Sequence, residues 1–182
     1  MDVPYACMSA NRKFVHVGYR IPSELKVELD LEAKRRATNV NSLVGQVLAK
    51  HASYDMLAEY VEAVPLSKPL FTRMLDNVEA EDLGAMGEEL GPNVMKSAFT
   101  FLNLEFNLDG LIENYFRPMS MHSRWYRFNV VGSGPNRKLL FEHGYGPKWS
   151  AFLKPYLAGI FRSATGIEPR VTADGRLVTV FV

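Results

Sequence analysis

Hydrophobic positions change their spacing several times along this 182-residue chain, and each change marks an element. Over 14–21, FVHVGYRI, residues alternate with period two. Val15, Val17, Tyr19 and Ile21 fall on one side, and Phe14, His16, Gly18 and Arg20 on the other, which predicts a strand. Pro22 ends that strand and opens a helix, because its fixed φ suits a first helical turn where its missing N–H is not needed. Leu25, Leu29 and Ala33 recur at i, i+4 and i+8 in this helix, which ends in Lys34, Arg35 and Arg36, cations at the negative end of its dipole. Ala37-Thr38-Asn39 makes a turn, and Asn39 is a natural N-cap for a second helix striped by Val40, Leu43, Val44, Val47 and Leu48, reaching about Ser53.

Helical spacing continues through the middle of the chain. Residues 54–64 extend the second helix or begin a new one, and Pro65 and Pro69 break the chain before a helix over 70–78. Gly91-Pro92 is expected to divide the next stretch, leaving a helix over roughly 93–102, with another over 108–116. After Pro118 the period returns to two: Tyr126, Phe128 and Val130 alternate, GSGPN at 132–136 turns, and 138–143 reads as a second strand. Over 147–164, Trp149, Phe152, Leu153, Tyr156, Leu157, Ile160 and Phe161 follow helical spacing, with Pro155 inside predicting a kink. Residues 170–173 and 176–182 read as strands joined by Asp174-Gly175. The predicted class is α+β: a flexible arm at 1–11, a β-α-α head at 12–53, a helical connector at 54–118 and a β-β-α-β-β domain at 119–182.

Charge sharpens this division. Residues 1–53 carry eight basic and five acidic side chains, a net of +3; 54–113 carry three against twelve, a net of −9; 114–182 carry ten against three, a net of +7. Hydrophobic content of 47% and aromatic content of 12% suffice for real cores and exclude a disordered chain. No apolar run is long enough to span a membrane, and the opening residues lack the apolar core of an export signal. A single cysteine, Cys7, forms no internal disulfide, so the expected location is cytoplasmic.

A strand and two helices over about 40 residues bury too little surface to fold alone. A second copy whose strand pairs antiparallel with the first solves this, giving a two-stranded ribbon backed by four helices. Val17, Tyr19 and Ile21 then face inward and His16, Gly18 and Arg20 outward, and such a ribbon fits the major groove of B-DNA. The run VHVGYRIPSELKVELDLEAKRRATNVNSLVGQVLAKH, residues 15–51, resembles the ribbon–helix–helix family of the Arc and methionine repressors. The features that carry the resemblance are the strand leading into Ile21-Pro22-Ser23-Glu24-Leu25, the Leu/Ala spacing of the first helix and the small-residue turn before Asn39-Val40-Asn41-Ser42-Leu43-Val44. The resemblance implies a homodimer, or a higher even oligomer, that reads double-stranded DNA and regulates transcription, typically as a repressor. It places the base readers at His16, Gly18 and Arg20, aided by Lys13, and a phosphate clamp at Asn39, Val40 and Asn41. The clamp has an independent physical basis, because a helix N-terminus attracts anions. Alanine at 37, where the family often has glycine, and glycine at reading position 18 depart from the pattern.

The remaining chemistry is sparse. His51, His122 and His143 are too scattered for the clustered ligands of a metal-sensing repressor, so no metal and no cofactor are expected. No Ser/His/Asp spacing, HExxH motif or paired carboxylates appear, so an enzyme is not expected. The loop 142–149, Glu-His-Gly-Tyr-Gly-Pro-Lys-Trp, is a candidate small-molecule site through His143, Tyr145, Lys148 and Trp149; the bland alternative is a glycine loop shaped for geometry. The C-terminal domain is then read as an effector-sensing or oligomerisation part. The competing reading is a sensor or enzymatic domain that uses the head only to dimerise.

Overall fold

The computed structural model describes residues 15–102, 107–134 and 137–182, which leaves Cys7 and Lys13 and the arm at 1–11 outside the described residues. The chain divides into two compact units, one up to Gly45 and one spanning Gln46–Val182.

In the first unit, Ser23–Arg35 form α1, and Val40–Lys50 form α2, which carries the chain into the second unit. A Schellman turn closes α1: Thr38 N–H donates to Ala33 C=O and Ala37 N–H to Lys34 C=O, with Ala37 at φ 51°. The N-cap forms as its residue type suggests, because Asn39 Oδ1 accepts from Ser42 N–H at 2.9 Å. The expected strand does not form, and this corrects the ribbon–helix–helix architecture. Residues 15–22 have no regular secondary structure, and Val15, Val17, Tyr19 and Ile21 are all exposed. The physical reason is that a strand is held by cross-strand hydrogen bonds, and residues 15–21 make no backbone hydrogen bond with another described segment. Gly18 at its centre weakens the strand tendency further.

The second unit begins with helix: His51–Asp55 are wound as a π-helix and Met56–Tyr60 as α3, followed by α4 (Lys68–Asp76) and the long α5 (Ala80–Leu102). Gly91-Pro92 does not divide α5; Pro92 lies inside it. Three glycines explain why the break fails. A Cβ on Gly87 would lie 2.4 Å from Phe152 C=O, one on Gly91 2.3 Å from Tyr156 C=O, and one on Gly159 2.9 Å from Pro92 Cδ. α5 thus crosses α8 (Pro147–Thr165) backbone to backbone, and burial of this seam outweighs the helix-breaking tendency of its residues. After α5 come α6 (Leu108–Gly110), a π-helical stretch Leu111–Phe116 and α7 (Arg117–His122).

The C-terminal part is a four-stranded antiparallel sheet in the order β1-β2-β4-β3, from β1 (Arg127–Val131), β2 (Lys138–Glu142), β3 (Arg170–Asp174) and β4 (Leu177–Phe181). Two hairpins flank α8, and β2 pairs with β4. The β3–β4 loop is Gly175-Arg176, with Gly175 at φ 55°, a conformation that favours glycine. Phe128, Leu139, Phe141, Val178 and Val180 point into the core, where the buried face of α8 meets them. Phe116 is the centre, its ring 5.0–5.6 Å from those of Tyr115, Phe128, Phe141 and Phe161. Leu57, Leu75, Leu83 and Met95 from the preceding helices join the same core.

Candidate functional site

The first unit leaves its apolar side chains open. Among its described residues only Ala33 and Leu43 are buried hydrophobic residues, whereas Val15, Val17, Tyr19, Ile21, Leu25, Val27 and Leu31 are exposed. Of its cations, Lys26 is paired with Asp30, and Arg35 and Arg36 are both paired with Glu32. Arg20 and Lys34 make no ion pair with a described residue. Glu32 is correspondingly held below its usual pKa, first by the hydrogen bond from Arg36.

The proposed DNA-reading positions are therefore in the following places. His16, Gly18 and Arg20 are exposed in the irregular segment, and nothing lies within 4 Å of a Cβ built on Gly18. Asn39 is exposed but its side-chain oxygen is used as the cap; Val40 is half-buried and Asn41 exposed, in the first turn of α2. Lys13 lies outside the described residues.

The loop before α8 gathers its four candidate residues, but their polar atoms are satisfied from within. His143 is buried, with Nε2 2.8 Å from Ser150 Oγ, and Ser150 Oγ donates to Gly175 C=O at 2.9 Å. A serine hydroxyl has one proton, so with that proton on Gly175 C=O it must accept from His143 Nε2–H. His143 Nδ1 then accepts from Tyr145 N–H at 3.4 Å. The pair has the residue types of a nucleophile and its base, but the proton runs the wrong way and both groups are buried. Tyr145 O–H donates to Arg124 C=O, and Lys148 Nζ donates to the C=O of Asp76 and Val78, closing the end of α4. Trp149 Nε1–H donates to Trp125 C=O, while its ring stacks on Phe152 and meets Phe71, Trp125 and Tyr145 edge-on. These four side chains hold the loop, α4 and α8 together.

Burial, and then the positive charge of Arg176, lowers the His143 pKa to about 4. Its unfolded value is near 6.5, so the neutral form is favoured in the fold. The resulting stability is complete above about pH 6.5 and is lost as pH falls towards 4. Wild type should lose about 2–3 kcal/mol more than His143→Gln between pH 7.5 and pH 4.5 in urea unfolding. Equal losses would show that His143 is not the group that titrates.

Two further features escape the sequence patterns. An apolar depression of about 400 Å³ lies between the end of α8 and β4, lined by Leu108, Phe161, Ala164, Ile167, Pro169 and Phe181 among others. On the sheet side away from α8, Lys138, Phe181 and Arg170 stand opposite one another across β2, β4 and β3. Period-two alternation in both hairpins put these residues on one face, but only the strand order brings them into one row. Among the described residues no group of three His, Cys, Asp or Glu is placed to hold a metal, and no helix is long and apolar enough to cross a membrane. Comparison with family models, with curated proteins and with solved structures finds no match to this chain.

Proposed function

We propose that this chain is a sequence-specific DNA-binding transcriptional regulator that works as a homodimer, contacting double-stranded DNA through the unit that ends at Gly45. The observation that carries the reading is the imbalance among the described residues of that unit: two buried apolar residues against seven exposed large ones. Apolar surface left open in such excess over what is buried calls for a partner. A second copy of the chain is the partner that supplies matching apolar surface without any further component. Arg20 is exposed between Tyr19 and Ile21 and free of any ion pair with a described residue, so its guanidinium is available for a forked contact to guanine, the commonest specific contact of arginine with DNA. Val40 and Asn41 offer backbone N–H groups at the start of α2, where the helix dipole favours a phosphate. The resemblance of residues 15–51 to a repressor family supports the same assignment. In this reading the second unit serves effector sensing or further oligomerisation, and the setting is the cytoplasm.

Sedimentation equilibrium of the full chain, alone and with excess duplex DNA, tests the proposal. A dimer at micromolar concentration that co-sediments with DNA is expected. A folded monomer that leaves the duplex free contradicts it.

A further inference from the structure

The solvent-facing side of the C-terminal sheet carries residues that the DNA-binding reading does not use. Lys138 in β2 and Arg170 in β3 both stand opposite Phe181, which lies between them in β4. Lys138 Nζ is 5.5 Å from the Phe181 ring centre and the Arg170 guanidinium carbon 5.0 Å. Both cations are exposed, and neither pairs with a carboxylate of a described residue. They are thus gathered at an aromatic ring instead of being neutralised, giving a row of charge, ring and charge across about 10 Å of sheet. Arg137, next to this row, is committed to Asp109. The carboxylates of the same face, Glu142 and Asp174, lie four residues further along β2 and β3, about 13 Å away, so the row itself is uniformly positive.

We propose that this sheet face is a binding surface for single-stranded nucleic acid, with Phe181 as the stacking ring and Lys138 and Arg170 as the phosphate partners. An open antiparallel sheet with a half-buried aromatic ring between two exposed cations suits a strand whose bases are unstacked, because every base has a face to stack and every link a phosphate to pair. A duplex suits it less: the major groove, about 12 Å wide, admits a helix or a two-stranded ribbon, and four strands span more than that. A protein partner suits it less again, because the apolar residues of this face, Val131, Leu140, Leu177 and Phe181, each have polar or charged residues directly opposite and form no continuous apolar interface centre. The inference is independent of the DNA-binding reading of the first unit.

The test uses the full chain and fluorescence anisotropy of labelled (dT)12, (rU)12 and a 12-base-pair duplex, titrated at several salt concentrations. Binding to at least one single strand is expected, with (dT)12 against (rU)12 deciding between DNA and RNA. Lys138→Gln/Arg170→Gln should weaken it at least tenfold and make the salt slope shallower by about 1.4, the value for two lost phosphate contacts. Lys154→Gln, an exposed cation of α8 away from this face, should leave single-strand affinity within twofold. Absence of single-strand binding by wild type overturns the proposal, as does a double variant that binds like wild type. Equal loss in Lys154→Gln would overturn it too, because binding would then follow the overall charge and not this face. Should the double variant melt early, photo-crosslinking of wild type to 5-bromouracil (dT)12 decides: adducts within 137–142 or 170–182 support the surface, and adducts only elsewhere refute it.

Discussion

Replacing Gly91 by alanine is expected to destabilise the second unit by about 3 kcal/mol or more, at the upper end of overpacking costs. The new methyl would lie 2.3 Å from Tyr156 C=O and 3.1 Å from Tyr156 Cα, so only separation of α5 from α8 relieves the clash. Gly87→Ala meets Phe152 C=O at 2.4 Å and should behave in the same way. The control is Gly84, one turn earlier on the same helix. A Cβ there has only Ala151 C=O within range, at 3.9 Å, an ordinary contact. Gly84→Ala should therefore gain the helix preference of alanine, up to about 1 kcal/mol. Urea unfolding of the three variants checks the seam directly. Opposite signs at 84 and 91 are the expected result, and a tolerated Gly91→Ala would mean that the two helices are not in backbone contact.

The second large effect is expected on DNA. If Arg20 forks to guanine, Arg20→Ala removes about 1–3 kcal/mol per subunit, and the dimer loses twice that at a two-fold operator. A loss of 2 kcal/mol in total is about thirtyfold and one of 4 kcal/mol about a thousandfold. The variant should keep its non-specific affinity within about one phosphate contact, because the lost term is base readout. Lys34→Ala makes the contrast: Lys34 likewise has no ion pair with a described residue, but lies at the end of α1 away from the irregular segment. Any phosphate contact it makes would weaken binding to all sequences alike and reduce the salt slope by about one. Competition titrations with specific and scrambled duplexes separate the two patterns. Equal loss on both duplexes for Arg20→Ala would reassign it from reading bases to neutralising phosphate.

Much of the second unit was legible in the sequence, for reasons that differ by element. α8 announces itself because seven large apolar residues, from Trp149 to Phe161, keep helical spacing, and all seven are buried. The hairpins show through period-two alternation and through the turn glycine at 175. α5 was illegible because local preference and tertiary contact disagree. Gly91-Pro92 reads as a break, whereas both residues serve a close helix crossing that appears only once α8 is in place. The irregular segment fails in the opposite sense: its alternation is real, but a strand cannot be held without a neighbour. At the loop before α8 the residue types that suggested a ligand lie together in the fold. Their hydrogen bonds are internal, and residue type alone cannot tell a polar atom aimed at a ligand from one aimed at a carbonyl.

The central claim, sequence-specific binding of duplex DNA by a dimer, is tested most directly by selection. The full chain is used to enrich duplexes from a randomised pool, and the affinity for the enriched sequence is compared with that for its scrambled version at one fixed physiological salt concentration. The account predicts a two-fold symmetric enriched site, bound at least about a thousandfold more tightly than the scrambled duplex, within the range of specific DNA-binding proteins. No enrichment, or equal affinities for the two duplexes, would contradict it.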